Sequence, residues 1–387
     1  MERATLDSSS EAVEVEWSAG GVDRFPYIWL RDNCQCAECF QADLNKRLVL
    51  TSELDLDVAP VRAGVQDRGS SLYVTWPDGH RSQYDWQWLR DRCFSPRARA
   101  DREQRWRRKK QLWGAELFTN LPTADFPALL TDDRALYDFL FLLDTIGLVL
   151  VQNVPRQVGK FQELANRVAF PKMTFLGAEQ MLKVKPIHGN FLLSTAPLGL
   201  HTDLAYYNYL PGVQMMHCIK QTESEGGASE LVDAFNAAYQ LKQENPDAFK
   251  LLTTVKVNFH RIGKALPKHH MKERHHIISV SDKGEVQKVV CGKHSRDSVL
   301  DVPVDQVKPF YRAMRAFDTI LSHPKNCIRY KMKEGDMLAF DNLRIVHDRT
   351  AFSMAGGERH LQVGYVDWDE TYSRMRVLQA ELGIQEE

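Results

Sequence analysis

No apolar run approaches the length of a membrane span; the longest candidate, residues 146–151, predicts a strand instead. Neither sign of charge is in excess. Fifty Lys and Arg stand against 51 Asp and Glu, a formal net charge of −1, which offers no basis for nucleic-acid or acidic-membrane binding. Residues 1–13 are acidic and polar, without the charged-then-apolar pattern of a secretory leader or the Arg-rich pattern of a transit peptide. Cysteine is sparse and odd in number, seven in 387 residues, so reduced thiols or metal ligands are expected rather than a disulfide framework. The expected compartment is the cytoplasm. No internal repeat or low-complexity tract is evident.

What is present is the composition of a globular protein, 43% hydrophobic and 26% charged, long enough for one large domain or two. Residues 1–95 predict a small β-rich domain, with alternation at Val13-Glu14-Val15-Glu16-Trp17 and Leu72-Tyr73-Val74-Thr75-Trp76. Residues 96–110, rich in Arg and Lys but broken by Asp101 and Glu103, predict a solvated helical linker. Residues 111–387 mix helices and strands. Helical spacing covers 134–144, and Asp233 is a plausible N-cap for a helix running to 243. Strands are expected at 147–151, 213–219, 230–232, 337–340, 345–347 and 361–366. A mainly β core with helices outside it fits a double-stranded β-helix, a jelly-roll catalytic domain.

The chemistry concentrates in a few positions. His201-Thr202-Asp203 places two metal-ligating side chains two residues apart, and on an extended strand these share a face. A third ligand, His347, lies 146 residues further on, and Arg359 follows it by twelve. Two histidines and a carboxylate form the facial triad of non-haem iron(II), which leaves positions open for a bidentate cosubstrate and for oxygen. An arginine fork suits the distal carboxylate of 2-oxoglutarate. Each residue alone has a bland explanation: a chance tripeptide, a core histidine, a surface charge. The four in this order make a sharper signal.

Cys34, Cys36 and Cys39 put three thiols within six residues, and His80 follows a strand and a turn. Three thiolates and an imidazole make the closed tetrahedral set of a structural zinc site, although three ordinary thiols fit equally well. His269, His270, His275 and His276 predict a polar, mobile surface segment, and His217 a core histidine.

Across nearly its whole length the chain resembles the γ-butyrobetaine and trimethyllysine hydroxylases. The likeness lies in Trp29-Leu30-Arg31-Asp32-Asn33-Cys34, Tyr73-Val74-Thr75-Trp76-Pro77-Asp78, His217-Cys218-Ile219-Lys220-Gln221-Thr222, Phe340-Asp341-Asn342 and Asp367-Trp368-Asp369. The resemblance, closer to γ-butyrobetaine hydroxylase, implies iron at His201, Asp203 and His347, and 2-oxoglutarate at Arg359. It also implies structural zinc at Cys34, Cys36, Cys39 and His80, stimulation by ascorbate, and a homodimer acting on a small molecule with O2.

One departure concerns the substrate. Members of the family hold a trimethylammonium head in an aromatic cage, because π-faces attract a cation that cannot donate hydrogen bonds. The corresponding positions here read Leu176, Gln180, Leu193 and Leu204, with only Tyr365 aromatic. Tyr206, Tyr207 and Tyr209 could rebuild an aromatic wall or simply pack the core. The expected activity is therefore oxidation of a C–H bond in a small amine or amino-acid-like substrate, with succinate and CO2 released. The alternatives are a γ-butyrobetaine hydroxylase proper and an inactive zinc-containing interaction protein.

Overall fold

The computed structural model describes residues 1–106, 108–183, 198–223, 225–263, 268–352 and 357–384. It comprises two compact units, Met1–Arg108 and Lys109–Glu387.

The first unit is built twice over. Strands Arg3–Asp7, Ala12–Glu16 and Val22–Pro26 form an antiparallel meander that runs into helix Tyr27–Asp32. Strands Arg62–Gln66, Ser71–Thr75 and Arg81–Asp85 form a second meander, followed by helix Trp86–Arg90. The two halves superimpose in sequence at an offset of 59 residues: Trp17 answers to Trp76, Leu30 to Leu89 and Cys34 to Cys93. In each, the tryptophan indole bonds a side chain six residues on, Trp17 to Asp23 at 2.7 Å and Trp76 to Ser82 at 2.8 Å. Each hairpin turns through a left-handed glycine, Gly20 (φ +86°) or Gly79 (φ +85°), a backbone shape that suits a residue without Cβ. The inward positions Val13, Val15, Phe25, Leu72, Val74 and Tyr84 are fully buried, which is the alternation expected of sheets with one solvated face. The sequence thus does contain an internal repeat. It escaped notice because only WLRD-x-C and the period-2 apolar positions are kept, while most exposed positions differ. Helix Pro96–Trp106 closes the unit, and Arg102 donates to the carbonyls of Asp91 and Cys93.

The second unit centres on a six-stranded sheet. Its order is Glu179–Lys183, His360–Val366, Val213–Lys220, Met337–Asp341, Leu148–Gln152, Thr123–Asp125, antiparallel except for the last, parallel pair. Within Leu148–Gln152 the first four residues, Leu148 to Val151, read as a continuous apolar run because both faces are covered there. Val149 and Val151 face one core with helices Asp133–Thr145, Lys160–Val168 and Trp368–Glu381. Leu148 and Leu150 face another, with helices Ala234–Glu244, Pro246–Thr254 and Val304–Leu321. A separate three-stranded sheet orders Cys327–Tyr330, Ser229–Asp233 and Ile345–Arg349.

This corrects the expected jelly roll. Among the described residues no sheet closes on itself, and the fold is mixed α/β with several small sheets. The six-stranded sheet ends at two open edges, and its parallel edge pair is joined through helices Phe126–Thr131 and Asp133–Thr145. Where a closing ladder would be needed, residues 198–206 supply a single bridge, His201 to His347, and then turn away. Counting strands from apolar alternation cannot show whether their edges meet.

A second correction concerns the histidine-rich segment. His269–His276 is a strand paired along its length with Lys256–Gly263, and His275 is buried with Nε2 2.9 Å from the Tyr207 carbonyl. Alternating charged residues concealed a period-2 pattern.

Candidate metal centres and catalytic cavity

Asp233 organises the ground beneath the catalytic site. Its carboxylate caps helix Ala234–Glu244 at Phe235 N and Asn236 N, 3.0 and 3.3 Å away. It also pairs with Arg344 at 2.7 Å, both side chains wholly buried. The Nη2 that makes this pair also donates to the Gln111 carbonyl, Nη1 donates to the Thr145 carbonyl and Nε to the other Asp233 oxygen at 3.1 Å, so all three guanidinium nitrogens are matched. This fixes the start of strand Ile345–Arg349, from which His347 projects.

His201 is tied to that strand by a reciprocal pair of backbone hydrogen bonds with His347, both 3.0 Å. The expected extended HxD strand is only partly present: His201 makes the bridge, Thr202 is fully buried, and Asp203 already stands in a turn. Leu204 then adopts a left-handed backbone (φ +55°), a conformation that costs a branched residue on the order of 1 kcal/mol or more. Asn342 holds the turn by accepting from Asp203 N (2.9 Å) and donating to Asp203 O (3.2 Å). Asp348 anchors the approach by accepting from Leu198 N and Gly199 N at 3.1 and 3.0 Å.

The side chains converge. His201 Nε2 lies 3.3 Å from Asp203 Oδ1, and His347 Nε2 lies 3.9 Å from the same oxygen. His201 Nδ1 is 2.9 Å from the Gly199 carbonyl, which turns Nε2 toward the centre. Tyr365 donates to Asp203 Oδ2 at 2.7 Å. Burial opposes charge on His201, but the contact with Asp203 outweighs it and raises its basicity; His347 is pushed down to about 3 by burial and by the neighbouring His201. Despite burial, contact with both histidines holds Asp203 below the usual carboxylate range. Two imidazole nitrogens and a carboxylate held ionised are the donors a divalent transition metal requires. The donor set fits iron(II).

All three residues line a cavity of about 100 Å³ that also takes in Arg349 and Arg359. Arg359 is 4% exposed; its Nε donates to Gln221 Oε1 at 3.3 Å, and its guanidinium lies over Phe352. Burial and the nearby Arg349 bring its pKa down to about 10. Two guanidinium groups this close suit an incoming anion.

Of the cage positions, Leu176, Gln180, Leu204 and Tyr365 line the cavity, while Leu193 lies outside the described residues. Tyr206 also faces it. Tyr207 instead accepts from Phe175 N at 2.9 Å, and Tyr209 is half-exposed and donates to Asp369. Sequence reasoning missed Asn342, Asp348, Arg349, Arg261 and His294 as parts of this site. Asn342 alone left a trace, inside the Phe340-Asp341-Asn342 string.

In the first unit, Cys34, Cys36, Cys39 and His80 form a second cluster. The three sulfurs lie 3.3, 3.6 and 3.6 Å from His80 Nε2. Tetrahedral zinc with Zn–S about 2.3 Å and Zn–N about 2.05 Å separates S from N by about 3.6 Å, so the cluster has the dimensions of a zinc site. Burial lifts the Cys34 thiol to about 11, so a cation is what would hold it as a thiolate.

A cluster of two histidines and one carboxylate, opening on a cavity that Arg349 and Arg359 also line, is the arrangement of facial-triad metal-dependent oxygenases. The chain matches the family described as "Taurine catabolism dioxygenase TauD, TfdA family" over residues 106–365. It matches "Gamma-butyrobetaine hydroxylase-like, N-terminal" over residues 4–90 and 63–120. It is 36% identical over 381 residues to gamma-butyrobetaine dioxygenase of Homo sapiens, covering 98% of this chain and 97% of that one. To the Pseudomonas sp. (strain AK-1) protein of the same name it is 32% identical, covering 97% and 96%. To mitochondrial trimethyllysine dioxygenase of Rattus norvegicus it is also 32% identical, covering 97% and 87%. The chain therefore belongs to the TauD/TfdA family, as an iron(II)- and 2-oxoglutarate-dependent dioxygenase related to the gamma-butyrobetaine dioxygenases. Among the described residues no helix is long and apolar enough to cross a membrane.

Proposed function

We propose that His201, Asp203 and His347 hold the iron, that Arg359 anchors 2-oxoglutarate, and that the enzyme oxidises a C–H bond of a small amine or amino-acid-like substrate. The carrying observation is that the triad and Arg359 open on one cavity. Iron(II), when bound, supplies the oxygen chemistry that couples decarboxylation of 2-oxoglutarate to substrate oxidation, with succinate and CO2 as products. The chain's own contribution is placement. Arg359 pairs with the distal carboxylate, and Phe352 beneath it keeps that end dry. Tyr365 and Asn342 hold Asp203 in one orientation. The apolar wall of Leu176, Leu204, Leu361 and Val363 excludes water from the reacting carbon.

The organisation that goes with this reading is a zinc-stapled module over 1–95, a basic linker over 96–110 and an oxygenase domain from 111. A homodimer, ascorbate stimulation and a cytoplasmic location complete it. The cysteines among the described residues form no disulfide, which leaves Cys34, Cys36 and Cys39 available to a metal.

A γ-butyrobetaine hydroxylase proper is the second reading, favoured by the 36% identity to the human enzyme. Against it, the cavity presents Leu176, Gln180 and Leu204 where a cation would need rings. Cation–π contacts are worth on the order of 0.5–2 kcal/mol each, so the missing rings together amount to several. The test is turnover of γ-butyrobetaine and trimethyllysine beside a panel of amino acids and small amines, read as succinate and hydroxylated product. Efficient carnitine formation at micromolar γ-butyrobetaine decides for the second reading. Absence of any 2-oxoglutarate turnover with iron present decides for a silent interaction protein.

A further inference from the structure

The catalytic cavity holds one more cation than the cosubstrate needs. Arg349 and Arg359 flank Phe352, their guanidinium carbons 4.6 and 5.6 Å from its ring centre, and suffice for the distal carboxylate of 2-oxoglutarate. Arg261 lines the same cavity from a different element, strand Lys256–Gly263. A 2.8 Å hydrogen bond from His260 N to the Ser295 carbonyl ties this strand to the loop carrying His294. The His294 ring stands edge-on to the His201 ring at 4.8 Å. Arg261 is thus carried next to the loop that touches a proposed iron ligand.

It is half-buried, and among the described residues its side chain makes no hydrogen bond and no ion pair, although its main chain is paired in the strand ladder. The two carboxylates that line the cavity are both engaged elsewhere. Asp203 is held by Tyr365 and the two histidines, and Asp348 accepts from Leu198 N and Gly199 N. A half-buried guanidinium without a partner in a ligand cavity is matched by what enters the cavity.

Resting on the oxygenase reading but replacing its amine or amino-acid-like substrate, we propose that Arg261 binds a carboxylate of the prime substrate, and that the remainder of that substrate is uncharged. The first half follows from the planar fork, which pairs bidentately with a planar carboxylate. The second follows from the rest of the wall. Leu176 and Leu204 offer an ammonium neither a ring face nor an acceptor, Gln180 offers a neutral hydrogen bond, and among the described residues of the wall only Tyr206 and Tyr365 present phenol rings, too few to enclose a cation. The substrate class is a short-chain carboxylic acid with an aliphatic or amide-like far end.

The test uses the full-length protein with iron(II) and 2-oxoglutarate under anaerobic conditions. Binding is read by ligand-observed NMR for a series of short-chain carboxylic acids, each beside its primary amide, its sulfonate analogue and its ω-trimethylammonium derivative. The acids are expected to bind at least about tenfold more tightly than their amides, the increment of one charge-assisted pair. Arg261→Gln should erase that difference and Arg261→Lys restore part of it, while the 2-oxoglutarate requirement moves less than about twofold. Sulfonates binding better than carboxylates would overturn the assignment of the anion. Acids binding no better than amides, or as well in Arg261→Gln as in wild type, would overturn the role of Arg261. So would a loss confined to 2-oxoglutarate. Because binding is read without turnover, these results stand apart from a failure of the oxygenase reading, which shows itself as no succinate formed in air from 2-oxoglutarate and iron.

Discussion

The Tyr365 hydroxyl donates to Asp203 Oδ2 at 2.7 Å, leaving Oδ1 as the oxygen that faces both histidines. A residue that sequence reading placed in the substrate wall therefore also supports the carboxylate proposed to hold the metal.

Tyr365→Phe keeps the ring and removes only that donor. Supporting partners of metal ligands typically contribute 10–100-fold to metal affinity or activity, and a loss of about tenfold in iron affinity is expected. Iron titration followed by the succinate yield measures it; an unaltered titration would leave Tyr365 with the substrate wall alone.

His201→Ala, Asp203→Ala and His347→Ala should each abolish 2-oxoglutarate turnover while leaving the circular dichroism of the fold in place. Each removes one of three proposed protein ligands. Wild-type turnover in any one of them would end the assignment.

Arg359→Ala should raise the 2-oxoglutarate KM by at least about thirtyfold. Removing one member of a desolvated charge pair costs roughly 2–5 kcal/mol, and this side chain is 4% exposed. The check is succinate formation across a 2-oxoglutarate series; an unchanged KM moves the anchor to Arg349.

One zinc per chain is expected in protein purified without chelator, distinct from the iron. Cys36→Ser or His80→Ala should abolish it and lower the melting temperature of residues 1–108, because binding and folding are coupled in such sites. Metal analysis combined with calorimetry reads both; a zinc-free wild type would refute the staple.

The legible part of the candidate site was its donor set, because a metal restricts which residue types can serve and the apolar strands around them keep their pattern. The supports were not legible. Asn342 and Asp348 act through backbone groups of residues 198–203, more than a hundred positions away, and no local pattern encodes such a pairing. The fold divided the same way. Leu148–Gln152, Val213–Lys220 and helix Ala234–Glu244 were anticipated within a few residues. How their edges meet was not, since strand alternation reports burial and says nothing of the neighbour across an open edge. The duplication in the first unit went unseen because it persists mainly in buried positions and turns, among exposed residues that differ.

That duplication makes the thiol cluster asymmetric. Cys34 ends the first half, and its counterpart 59 residues on, Cys93, instead donates to Asp23 at 3.0 Å. His80 opens the second half's return strand where the first half has Gly21; Trp76 N bonds the His80 carbonyl just as Trp17 N bonds that of Gly21. A metal at Cys34, Cys36, Cys39 and His80 is thus a rivet driven through one of two matching holes, joining the first half to the second. At the other hole a thiol and a carboxylate make the same crossing with one hydrogen bond. The two halves share their strands, turn and helix, and what sets them apart is which of the two crossings carries the metal-ligating residues.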